Sequence, residues 1–303
     1  MSIPEKFKGV FPAFYACYDS NGNVSHERTS RLAQFYYSLG IPGLYVAGSS
    51  GECIYQTVGE RKGILEAVMD AVGGRMTIIA HIAAPSTQDS IILAQHAEKY
   101  HADAIAMIPG IYYGLSDQIV KKYWCDVLDA TDQIPLFIYN IPVTVNGYNL
   151  STDLFTQMLE TKRIAGIKNS SGSVADIMRF RLAGGDDIAI FNGADEQYLG
   201  ARMMGASGGI GGTYGYMPEL YLKLENYIRK AEFEKAYALQ KQLFALINFT
   251  FHTKSLYAAA KEVLRLRGLD VGSVRPPFLP LSGDEFKIVQ ALYEKIQEVN
   301  NNF

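Results

Sequence analysis

The chain has 303 residues, 48% hydrophobic and 19% charged, with a net charge of −3 and a sequence pI near 6.0. That balance excludes a disordered chain, and without a basic excess nothing points to nucleic acid; the Lys121-Lys122 pair reads as a solvated helix face. The apolar runs are strand-sized and fall far short of the ~20 residues a membrane helix needs, so no membrane partner is expected.

The amino terminus, MSIPEKFKGVFPAF, lacks the charged start, apolar stretch and small-residue cleavage site of a signal peptide. Cys17, Cys53 and Cys125 have no metal-ligand spacing and leave an odd thiol, which suits a reducing compartment. A cytoplasmic protein is therefore expected. Cys53 reads as a small apolar residue.

Short β-rich runs then recur, at residues 9–16, 43–47, 76–82, 104–108, 135–139, 164–168, 188–191 and, weakly, 208–212. Each is followed by a stretch of helical periodicity, such as 25–39 and 87–100. Successive runs begin 20 to 34 residues apart. A (β/α)8 barrel of ~250 residues divides into units of about 31, so the rhythm predicts a closed parallel barrel. The first strand has no GxGxxG after it, which removes the simplest dinucleotide-binding alternative. From residue 217 the pattern is wholly helical, with helices expected over 219–230, 232–248, 253–267 and 283–299. Ser282-x-x-Glu285 announces the last with a capping-box pattern. The division is thus a barrel over 1–216 and, over 217–303, the last barrel helix with a helical bundle packed on the barrel.

Reactive groups of such a barrel stand at the carboxyl ends of its strands. After the second strand come Gly48-Ser49-Ser50-Gly51-Glu52, two hydroxyls in a turn that opens a helix and offers N–H groups to a carboxylate. The plain alternative is an N-cap turn, with Ser49 or Ser50 as the cap and Glu52 facing the helix dipole. Ile111-Tyr112-Tyr113 follow the fourth strand and Tyr139-Asn140-Ile141-Pro142 the fifth; tyrosine is abundant here, and each also reads as a core-edge residue.

Lys168 is sharper. It concludes the apolar run Ile164-Ala165-Gly166-Ile167, where an ammonium is expensive to bury, so a neutral amine is expected. Neutral amines attack carbonyls, and Tyr139, one unit earlier, would carry protons: the pair suits Schiff-base chemistry on a 2-oxo acid. Asp195-Glu196 after the seventh strand would bind sugar hydroxyls or merely begin a helix, and the glycine-dense 208–212 run lets substrate approach the backbone closely.

In order, GSSGE, IYY, YNIP, GIKNSSG, FNGADE and GASGGIGGTY resemble the N-acetylneuraminate lyase and dihydrodipicolinate synthase superfamily of class I aldolases over nearly the whole chain. The resemblance implies a (β/α)8 TIM barrel with a carboxy-terminal helical extension, assembled as a homotetramer. It implies Lys168 as the imine-forming lysine, Tyr139 as proton donor and acceptor, and the Ser49-Ser50 turn as the carboxylate site. Tyr112 looks like the tyrosine this family lends to a neighbouring subunit's proton relay. No cofactor or metal is implied.

Synthases of the superfamily usually carry an arginine soon after the YN-x-P motif. Here the stretch is Val143-Thr144-Val145-Asn146-Gly147, which favours the sialate lyases. In that subfamily Asp195, Glu196, Ser170 and Gly193 fall at sugar contacts. Two positions depart from its pattern: Ser50 stands for a usual threonine and Gly212 for a usual serine. The activity implied is cleavage of N-acetylneuraminate or a related 2-oxo sugar acid to pyruvate and an N-acetylhexosamine, N-acetylmannosamine. The alternatives are a 2-keto-3-deoxy sugar acid aldolase or dehydratase, a dihydrodipicolinate synthase, or a non-catalytic sugar-acid-binding protein.

Overall fold

The computed structural model describes residues 3–303. Eight parallel strands alternate with helices: β1 (Gly9–Pro12), β2 (Gly43–Val46), β3 (Thr77–His81), β4 (Ala104–Met107), β5 (Leu136–Asn140), β6 (Ile164–Asn169), β7 (Ala189–Asn192) and β8 (Gly208–Gly211). From β2 onward each pairs with the next, β8 pairs with β1, and a bridge between Ala13, just past β1, and Tyr45 of β2 closes the ring. The molecule is a (β/α)8 barrel. All eight expected strands are present, each within a few residues of its expected span.

The outer ring is α1 (His26–Ser38), α2 (Val58–Val72), α3 (Thr87–Lys99), α4 (Asp117–Asp129), α5 (Thr152–Leu159), α6 (Val174–Gly184), α7 (Tyr198–Met203) and α8 (Pro218–Arg229). Three further helices follow: α9 (Phe233–Thr250), α10 (Leu256–Leu266) and α11 (Glu285–Asn302). Hydroxyl caps start several of them, as at Ser25, Ser86 and Ser151. In α10 the expected start at residue 253 moves to 256, because the Ser255 hydroxyl accepts from the Ala258 N–H and sets the first turn there. At α11 the Glu285 carboxylate reaches back to the Ser282 N–H as expected. The Ser282 hydroxyl, however, donates to that same carboxylate instead of capping a backbone N–H.

The barrel interior is filled. Phe11, Phe137 and Phe191 meet at its centre with ring centroids 5.0 and 5.6 Å apart, and Phe7 closes the floor against Phe137. Their bulk is matched by glycine: a Cβ on Gly166 would lie 2.5 Å from the Phe137 ring and 2.1 Å from the Ala189 carbonyl oxygen. Register then aims the chemistry. Tyr139, Lys168 and Phe191 are direct partners across β5, β6 and β7, as are Asn140, Asn169 and Asn192 one residue on. Side chains alternate along a strand, so Tyr139 and Lys168 share the interior face while the asparagines point to the helices. There Asn140 donates to Asn149 and to Asn169, both at 2.8 Å, and its oxygen accepts from the Leu150 N–H.

Candidate active site

Lys168 is 5% exposed, and its Nζ lies 4.0 Å from the ring centroid of Tyr139 and 4.7 Å from that of Tyr45. Two aromatic faces attract an ammonium by about 0.5–2 kcal/mol. Removal from water costs a charge more than that, and burial wins: the Lys168 amine is held well below the usual lysine range, with the Asp195 carboxylate pulling the other way. Burial therefore favours the neutral amine expected from the sequence.

Tyr139 is equally buried. Burial pushes its phenol above the ordinary tyrosine range, while the Ser170 and Ser49 hydroxyls facing it pull it down. Ser170 reaches no hydrogen-bond geometry of its own and remains a buried oxygen without a partner. Gly193 makes that placement sterically feasible, since a Cβ there would lie 1.8 Å from the Ser170 Oγ. Ser170 and Gly193 are therefore one feature.

The Ser49-Ser50 turn departs from the expected local structure. Neither serine caps a helix and the turn does not open one: Ser49–Gly51 is a single 3-10 turn, and α2 begins only at Val58. Its cap is Thr57, in a complete capping box with Glu60. Glu52 does not face the dipole either. It is buried, with φ 57°, and its carboxylate accepts from Lys261 Nζ at 2.6 Å and from the Arg275 N–H at 2.7 Å. The helical extension thus reaches the turn directly.

Asp195, expected as a sugar contact, is buried. One carboxylate oxygen takes both the N–H and the hydroxyl of Thr213, each at 2.7 Å. Burial raises its pKa, and the bonds from Thr213 and the field of Lys168 work against that rise. Glu196 is half-buried beside it. Gly212 faces Ser50, whose Oγ would lie 3.0 Å from a Cβ at residue 212. The two departures from the sialate lyase pattern therefore stand against each other across the mouth of the barrel.

Tyr112 stands apart. It is 81% exposed, at φ 77°, and stacks edge-on to Tyr113. A cavity of about 480 Å³ opens on the Ser49 side, lined among others by Arg61, His81, Ile108, Thr144 and Tyr257. Sequence reasoning missed Tyr45, His81, Arg61 and Thr213. His81 ends an apolar strand as Lys168 does, a signal that would have singled it out.

Fold and site together define a (β/α)8 barrel with a buried lysine and tyrosine at the carboxyl ends of adjacent strands. The Dihydrodipicolinate synthetase family profile matches residues 6–296, and the chain belongs to that family. It is 43% identical over 301 residues to an N-acetylneuraminate lyase of Mediterraneibacter gnavus, covering 99% of this chain and 95% of that one. A structure of a Ruminococcus gnavus sialic acid aldolase, a catalytic lysine mutant, superposes with a TM-score of 0.98 at 42% identity over 100% of both chains. A dihydrodipicolinate synthase from Bacillus anthracis superposes with a TM-score of 0.89 at 26% identity, over 95% of this chain and 98% of that one. The fold is common to both activities, and sequence similarity leans to the lyases.

Proposed function

We propose that the chain is a class I carbon–carbon lyase that cleaves N-acetylneuraminate, or a closely related 2-oxo sugar acid, to pyruvate and N-acetylmannosamine. The observation that carries this reading is the buried Lys168 amine set over the Tyr139 ring, within the field of Asp195. The lyase relatives at matching length support the substrate class.

Neutral Lys168 attacks the keto carbon, and loss of water leaves a protonated imine that serves as electron sink. The C4 hydroxyl proton passes to the Tyr139 oxygen as the C3–C4 bond breaks and its electrons enter the imine. Because burial keeps that phenol protonated, Tyr139 accepts this proton only while passing its own to the substrate carboxylate, directly or through the Ser49 hydroxyl, which gives up its own proton as it takes one. The resulting enamine is protonated at C3 and hydrolysed to pyruvate, which frees Lys168. Ser49, Ser50 and their backbone hold the carboxylate, while Ser170, Gly193, Asp195, Glu196 and Gly212 bound the sugar end. Nothing in these steps needs a metal or organic cofactor.

In this reading residues 1–216 carry the chemistry and 217–303 brace it. Tyr112, exposed in the single chain, enters a neighbour's site in a homotetramer. Free thiols at Cys17, Cys53 and Cys125 support a cytoplasmic setting, and among the described residues no helix is long and apolar enough to cross a membrane. Borohydride trapping with pyruvate, read by peptide mass spectrometry, tests the chemistry. An adduct on Lys168 is expected; a control aldolase that labels while Lys168 does not would refute the imine mechanism.

A further inference from the structure

Non-glycine residues rarely adopt positive φ, and where they do, surrounding contacts must over-determine the backbone. The turn that carries Ser49 and Ser50 is flanked by two of them, Ala47 at φ 58° and Glu52 at φ 57°. Alanine has no side-chain polar group to favour that conformation locally. Something else holds each residue.

At Ala47 the holder is His81. Its Nδ1 lies 3.1 Å from the Ala47 carbonyl oxygen, and since a carbonyl only accepts, Nδ1 carries the proton. Burial, with Arg61 and Lys168 adding to it, drives the imidazole pKa down to about 3, so one N–H is all it has. Its Nε2 is buried and unpartnered. His81 is itself pinned: the buried Arg61 guanidinium donates to the carbonyls of His81 at 2.6 Å and Ala83 at 2.7 Å.

At Glu52 the holder is Lys261 of α10. The ion pair is almost fully buried, at 0% and 2% side-chain exposure. Lys261 also donates to the Ser273 carbonyl at 2.8 Å, and the second Glu52 oxygen takes the Arg275 N–H. A buried ion pair is weak evidence for stability, because apolar replacements of like volume often do as well. Directional bonds add what an apolar pair lacks, a defined backbone angle at the end of the turn.

We infer that His81 and Lys261 are positioning residues for the carboxylate turn, holding it from the barrel on one side and from the helical extension on the other. The inference rests on the aldolase reading, in which that turn binds the substrate carboxylate.

The test compares borohydride trapping at Lys168 by pyruvate with trapping by acetone, which forms the same imine but has no carboxylate. The variants are His81→Phe, His81→Asn and the charge-neutral pair Glu52→Gln with Lys261→Met. His81→Phe keeps a ring and loses the donor; it is expected to lower the preference for pyruvate over acetone by about tenfold, the worth of a bond to a charged group, with acetone trapping unchanged. His81→Asn places an amide nitrogen where Nδ1 stands and restores the preference. The double variant lowers it as His81→Phe does, and reports on the second anchor independently.

An unaltered preference in both His81→Phe and the double variant overturns the inference, as does an equal loss with both probes, which marks general damage. Absence of pyruvate trapping in the unaltered chain sinks the aldolase reading and this inference together. Trapping that persists with undiminished preference sinks this inference alone.

Discussion

In the proposed reaction the environment of Lys168 decides the chemistry, and its protonation state sets the pH dependence. Only the unprotonated amine attacks, so imine formation falls as pH drops through the Lys168 pKa. Burial lowers that pKa, so the acid limb of the trapping rate is expected well below the ~10.4 of a free lysine. Asp195 favours the ammonium; Asp195→Asn should therefore move the limb to lower pH, measurable with pyruvate alone. A limb that stays put or rises would exclude electrostatic communication between them. Lys168→Ala should remove both turnover and trapping. Tyr139→Phe should slow turnover about 10²- to 10⁴-fold, the range of a lost proton-transfer group, yet still permit trapping. Retained turnover in Tyr139→Phe would move the proton relay elsewhere.

At the scale of elements, the contrast between the Ser49-Ser50 turn and the Thr57 cap separates function from stability. Both offer a side-chain hydroxyl ahead of a helix, and from the sequence only the serines are expected as the cap. The structure divides the labour, with Thr57 capping α2 and the serines left facing the barrel mouth. Thr57→Ala should cost about 1 kcal/mol of stability in denaturant unfolding. Ser49→Ala should leave stability within ~0.5 kcal/mol while raising KM for the substrate. Equal stability losses would mean that the turn is structural after all. Strand spacing, helix periodicity and the charge at the end of an apolar strand were all legible locally. The Thr213 bonds to Asp195 were not, because a sequence separation of 18 gives no pattern until β7 and β8 lie side by side. Nor was Tyr45, one tyrosine among 20, until β2 was folded to face Lys168.

The whole molecule is tied together by contacts that bridge most of its length. Lys261 meets Glu52 across 209 residues and Arg275 meets it across 223, so the carboxy-terminal helices and the second strand's turn form one unit. Lys261→Met alone strands a buried carboxylate and should cost about 3–5 kcal/mol, whereas pairing it with Glu52→Gln should recover most of that loss. Thermal unfolding of the three variants measures the difference. Assembly is the other question at this scale, since Tyr112 lies exposed and away from Tyr139 in the isolated chain. If it serves a neighbour's site, Tyr112→Phe subunits mixed with Lys168→Ala subunits should regain activity that neither has alone. An intact lysine beside a Lys168→Ala neighbour would then receive an intact tyrosine. No gain on mixing would leave Tyr112 outside the relay.

By itself the sequence determined the barrel and singled out Lys168 and Tyr139, because strand rhythm is periodic and a lysine closing an apolar strand violates its local environment visibly. Tertiary structure alone decided that Asp195 is a buried neighbour of Lys168, that Ser50 and Gly212 face one another, and that His81 and Lys261 flank the Ser49-Ser50 turn. Those contacts depend on which strand ends meet around a closed ring, and on a carboxy-terminal helix returning to the second strand. Contacts between residues so far apart in sequence are set by packing and leave no local pattern.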